Sequence, residues 1–105
     1  MQVVQTVTAL PESALSAAEA YFADHLATSR AKLDDSETTS LVVLLPLAPT
    51  DHDDWRRALA RDLARAAAPK RVNVVAASDP DIARRALAYL RDAPGVTGQY
   101  LVSHE

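Results

Sequence analysis

The chain has 105 residues, 49% of them hydrophobic and 24% charged, with a formal net charge of −3. That length and balance fit one domain around one core, and basic residues interleaved with acids exclude the coherent basic surface that nucleic acid requires. Cysteine is absent, which removes disulfides and thiolate metal sites. No apolar run reaches the ~20 residues of a membrane span and no signal-peptide pattern opens the chain, so no membrane partner and a cytoplasmic setting are expected.

"QVVQTVTA" (2–9) alternates and predicts a strand with one partly polar side, at or near a sheet edge. Pro11 then opens a helix, its missing N–H costing nothing in the first turn. Leu15, Ala18, Phe22 and Leu26 fall on one face of it through about residue 29. "KLDDSETTS" (32–40) is the one polar stretch long enough for a loop, and "LVVLLPLA" (41–48) is apolar on both sides, as a strand covered on both faces should be.

Thr50 and Asp53 form a capping-box-like pair at the next helix. Trp55, Leu59, Leu63, Ala66 and Ala67 make its apolar side, while Arg57, Arg61 and Arg65 line the other. "RVNVVAA" (71–77) reads as a second central strand. Asp79 caps a third helix with Pro80 at its first position, and Ile82, Ala83, Ala86, Leu87 and Leu90 face inward. "APG" (93–95) ends it, and "GQYLVS" (98–103) is a short last strand.

The order is β-α-β-α-β-α-β, and each connection is long enough to return the chain parallel. The expected fold is therefore α/β, with four mostly parallel strands and three crossover helices over residues 1–105. Right-handed crossovers advancing one way would set every helix on one sheet face, yet the two middle strands are apolar on both. Either one connection switches side or a partner covers the bare face.

"RALARDLARAAAPKRVNVVAAS" (57–78) followed by "DPDIARRALAYLRDAPGVTGQYLV" (79–102) resembles the C-terminal half of a short-chain dehydrogenase/reductase. The resemblance implies a small Rossmann-like domain. It does not bring the family's chemistry with it. Such enzymes hold a dinucleotide on a glycine-rich turn after the first strand, where only glycine lets backbone reach the pyrophosphate. The only glycines in the chain are Gly95 and Gly98. Their catalysis rests on a tyrosine with a lysine four residues later, and here Tyr21, Tyr89 and Tyr100 are followed at that distance by His25, Ala93 and His104. The "PG" that follows the RVN strand in the family is Ala77-Ser78, and its terminal "DGG" is Ser103-His104-Glu105. No nicotinamide cofactor, no other cofactor and no catalytic residue are expected.

"DHDD" (51–54) is the densest set of candidate metal ligands, but acids in a first helical turn are accounted for by the helix dipole, and no metal is expected. His25 borders an apolar stripe and is expected to be half-buried and hydrogen-bonded, and His104 and Glu105 to fray at the chain end. The Arg57/Arg61/Arg65 stripe, partly offset by Asp53 and Asp62, reads as a solvated face. A phosphoacceptor receiver is excluded because Ala9-Leu10-Pro11 follow the first strand in place of its acidic pair.

Two helices carry apolar arcs wider than the ~100° of a core-facing stripe. On the 51–67 helix the arc includes Ala60 and Ala64, and on the 82–91 helix it includes Tyr89. In the resembled family the corresponding helices, with the last strand, form dimer contacts. The expectation is a non-catalytic interaction or assembly module, homodimeric through Ala60, Ala64 or Tyr89, with a full-length reductase as a possible further partner. The alternative is a small-ligand binder or unrecognised enzyme at the carboxyl ends of the strands, near Ala48, Thr50 and Ser78.

Overall fold

A computed structural model describes residues 1–103. Strands β1 (Gln2–Thr6), β2 (Ser40–Leu45), β3 (Arg71–Ala77) and β4 (Tyr100–Ser103) lie side by side in chain order, every neighbouring pair parallel. This is the expected Rossmann-like α/β arrangement. The apolar runs occupy the centre, and Leu41, Val42, Val43, Val72, Val74 and Val75 are all buried. Helices α1 (Ala14–Asp24) and α2 (Leu26–Asp34) link β1 to β2. A 3-10 turn (Thr50–His52) and α3 (Asp53–Ala67) link β2 to β3, and α4 (Pro80–Arg91) links β3 to β4.

Helices cover both faces of the sheet. Leu41, Val43, Leu45, Val72 and Val74 pack with Tyr21, Leu33, Leu59 and Leu63, so α1, α2 and α3 share one face. Val42 and Val75 pack with Ala86 and Leu90, so α4 covers the other. Strands that advance in one direction give connections of opposite hand when helices lie on opposite faces. At least one connection therefore departs from the usual right-handed rule.

Polar residues of the sheet hold α4 and the segment after it. Arg71 Nη1 donates to the carbonyls of Leu90 at 2.9 Å and Ala93 at 3.1 Å, satisfying acceptors that a helix end leaves open. Asn73 donates to Val96 O at 3.0 Å and accepts from Gln99 N at 3.1 Å, which fixes the return into β4. At the other end of α4, the Asp79 carboxylate accepts from Ile82 N at 2.9 Å, with Pro80 at the first helical position as the sequence predicts.

Several local expectations are corrected. The first helix does not turn Leu15 and Phe22 inward; they are 87% and 50% exposed, and Ala17 and Tyr21 are buried instead. Tyr21 is drawn in by a polar network under α2. The helix breaks at His25, and α2 then continues to Asp34, so the loop before β2 is shorter than "KLDDSETTS" suggests. His25 itself is half-buried against the Tyr21 ring, 5.7 Å between centroids, and its carbonyl accepts from Gln5 Nε2 and from the backbone N–H of Ser29. Thr50 and Asp53 form no capping box, because a 3-10 turn intervenes and no side chain caps the start of α3.

The wide arc of α3 is used inside the chain. Ala60 is fully buried, leaving no surface for a partner, and Ala64 is half-buried beside Gly98. Leu59, Leu63, Ala66 and Ala67 face α1 and α2 across a groove that Phe22 and Leu26 also line. The helix has two neighbours within its own fold, which sequence periodicity reads as surplus apolar surface.

Candidate functional site

Open parallel sheets present ligand sites beyond the carboxyl ends of their strands. Here that edge is built by the segments after β1 and β2 and by the first turns of α3. A cavity of about 370 Å³ lies between them, lined by Leu10, Pro11, Pro46 and Leu47 with Glu12 and Arg56. Ala48 lines it too, whereas Thr50 and Ser78, the other two residues expected at a strand-end site, are exposed and lie outside.

Arg56 is the unusual member. It is 1% exposed, and its guanidinium carbon stands 5.3 Å from the centre of the Trp55 ring and 5.8 Å from that of Tyr100. Nη1 donates to Pro46 O at 2.8 Å and to the Tyr100 hydroxyl at 3.1 Å. No carboxylate of the described residues pairs with it, and Nε is buried without a hydrogen-bond partner. The sequence contained one signal for this. Arg56 lies three, four and seven residues before Leu59, Ala60 and Leu63, so it occupies the buried stripe of α3 and not its solvated one.

The remaining polar groups at this end are committed to structure. Trp55 Nε1 donates to His52 Nδ1 at 3.3 Å, which leaves His52 Nε2 to donate to Glu12 O at 2.9 Å. Both ring nitrogens of this buried histidine are engaged, while Asp53 and Asp54 turn to Arg57 at 3.6 and 3.8 Å. "DHDD" is thus divided between a helix-to-loop tie and a solvated ion pair. Among the described residues no cluster of potential metal ligands forms. His104 and Glu105 lie outside the described residues.

Among the described residues no hydrogen bond joins a tyrosine to a lysine. Tyr21 is buried, its hydroxyl 2.5 Å from Ser29 Oγ, and burial raises its pKa above the usual 10.0 despite that hydrogen bond. Tyr100 accepts from Arg56, and Tyr89 is 58% exposed on α4. Lys70 spends its ammonium on the carbonyls of Leu33 and Asp35.

The family model described as short chain dehydrogenase-like protein matches residues 5–103. The chain belongs to that family. No curated protein and no solved structure matches it significantly. As a short chain dehydrogenase-like protein it invites comparison with nicotinamide chemistry, and the described residues do not fit the dinucleotide. The only glycines are Gly95 and Gly98, so no glycine-rich turn follows a strand, and prolines 11, 46 and 49 remove backbone donors from the strand-end cavity. Gly98 sits at the opposite end of the sheet, its N–H donating to Val72 O at 2.7 Å near the start of β3.

Beyond α4 the sheet ends in β4, which pairs only with β3 among the described strands. A groove of about 590 Å³ runs along this edge, lined by Ile82, Arg85, Tyr89, Leu101 and Val102 among others. Tyr89 and Val102, at 58% and 49% exposed, flank the open edge from the two sides of the sheet. No helix of the described residues is long and apolar enough to cross a membrane.

Proposed function

We propose that this short chain dehydrogenase-like domain is a non-catalytic assembly module, and that it pairs with a second copy of itself through α4 and β4. The observation that carries this reading is the open edge of β4. Its sequence "YLVS" carries no charge and no proline, the usual devices that keep a bare strand edge from pairing. Apolar Tyr89 and Val102 stand exposed on either side of it. Two such edges meeting about a two-fold axis would continue the sheet and cover both side chains, an isologous contact in which one patch serves twice. Of the three candidate interface residues, Tyr89 fits this reading, while Ala60 and Ala64 belong to the fold's own packing. The resemblance of the last helix and strand to a family dimer contact supports the same choice.

Because the chain contains no cysteine, a single introduced thiol reports on this contact. Val102→Cys should form a disulfide-linked dimer rapidly under mild oxidation. Leu15→Cys, 87% exposed on α1, should cross-link only slowly and in proportion to concentration. Equal rates for the two variants would refute the proposed edge.

A further inference from the structure

We propose that the Arg56 cavity binds a small apolar monocarboxylate, with the guanidinium as its counter-ion. An arginine carries five N–H donors. Both hydrogen bonds formed here use Nη1, to Pro46 O and the Tyr100 hydroxyl. The Nε and Nη2 hydrogens have no partner among the described residues. Taking a guanidinium out of water without a counter-charge is strongly unfavourable, and an apolar residue of similar volume normally packs better at such a position. The Trp55 and Tyr100 rings hold the planar fork in place, which lowers the cost of meeting a planar, two-oxygen ligand.

The lining selects the ligand's chemistry. Leu10, Pro11, Pro46 and Leu47 make apolar walls, and three prolines leave few backbone donors. A phosphate needs several donors or cations around it; this cavity offers one guanidinium, and Arg56 is the only cationic residue on its lining. A carboxylate needs a single cationic partner, which Arg56 supplies on the cavity lining, and a short hydrocarbon tail fits a space of about 370 Å³. The site lies at the carboxyl ends of the strands and shares Tyr100 with the β4 edge; ligand binding and chain mass are separate readouts, so either proposal can fail without the other.

Calorimetric titration of the whole chain with butyrate, 3-methylbutyrate and phenylacetate tests the site, with the matching amides and inorganic phosphate as controls. The first two acids do not absorb near Trp55, so its fluorescence gives a second readout beside the guanidinium. The expected result is saturable binding of at least one acid, and at least tenfold weaker binding of its amide and of phosphate. Arg56→Met should lose the binding by the same factor while remaining folded. Should that variant unfold, Leu47→Trp keeps Arg56 and narrows the cavity from a half-exposed position, and it should weaken the acid without lowering the unfolding temperature. The inference is overturned if no acid binds saturably at millimolar concentration. It is equally overturned if acid and amide bind alike, if phosphate binds more tightly than the acids, or if the variants that fold bind as the wild type does.

Discussion

Replacing Ser29 by alanine should damage this fold more than replacing Tyr21 by phenylalanine, although the tyrosine is the larger residue. Ser29 is completely buried between Tyr21 and Gln5, with distances of 2.5 and 2.6 Å from its Oγ. Gln5 Oε1 can only accept, so the single serine proton goes to it and the tyrosine hydroxyl must donate to Ser29. Gln5 Nε2 completes the chain by donating to His25 O at 3.0 Å, tying β1 to the break between α1 and α2. Tyr21→Phe removes one neutral hydrogen bond and leaves Ser29 still donating, a loss of about 1 kcal/mol. Ser29→Ala orphans two buried groups, the Tyr21 hydroxyl and Gln5 Oε1, for a loss of about 2–4 kcal/mol. The double variant removes one of those orphans with its hydroxyl, so it should be more stable than Ser29→Ala alone. Urea unfolding at one fixed protein concentration gives all three values and the coupling between them. Additive losses, or a Ser29→Ala loss no greater than that of Tyr21→Phe, would refute the assigned donor order.

The same tyrosine predicts a pH dependence. Burial raises the folded pKa of Tyr21 above 10.0, its usual value. The unfolded chain therefore releases this proton first as pH rises, and stability falls above about pH 10. Tyr21→Phe should lose less stability than the wild type between pH 9.5 and 11, and parallel curves would contradict the burial. Asp79→Ala removes the hydrogen bond to Ile82 N and should cost about 0.5–2 kcal/mol in denaturant unfolding; no loss would mean α4 is stabilised without its cap. Titration with NADH or NADPH, followed by Trp55 fluorescence and calorimetry, should give no saturable binding, and micromolar affinity would overturn the non-catalytic reading.

The central strands and the start of α4 were legible because their causes are local. A run such as "LVVLL" has no polar face to expose, and Asp79-Pro80 supplies both cap and first turn within two residues. The inward face of α1 was not legible. Alanines populate both sides of that helix, and Tyr21 is selected by Gln5 and Ser29, residues on two other elements. The face taken by α4 was open for a related reason. It is fixed by where Arg71, Asn73 and Gln2 find carbonyls after the chain has turned, which no periodicity records. Arg56 was hidden by its company, since arginines at 57, 61 and 65 make an exposed stripe and invite the same reading for the fourth. Only its spacing to Leu59 and Leu63 sets it apart.

Whether the domain assembles through β4 is measured most directly by light scattering on the wild type and on Tyr89→Glu and Val102→Glu across a dilution series. Both side chains are about half exposed in the single chain, so a charge at either position should leave the fold intact, as circular dichroism would verify. Desolvating that charge against its twin across a two-fold axis would be strongly unfavourable. Assembly through β4 predicts a wild-type mass of two chains, about twice 11.3 kDa, and a single-chain mass for both variants at the same concentration. A wild type that remains a single chain at every concentration, or a dimer that both glutamates leave intact, would contradict it.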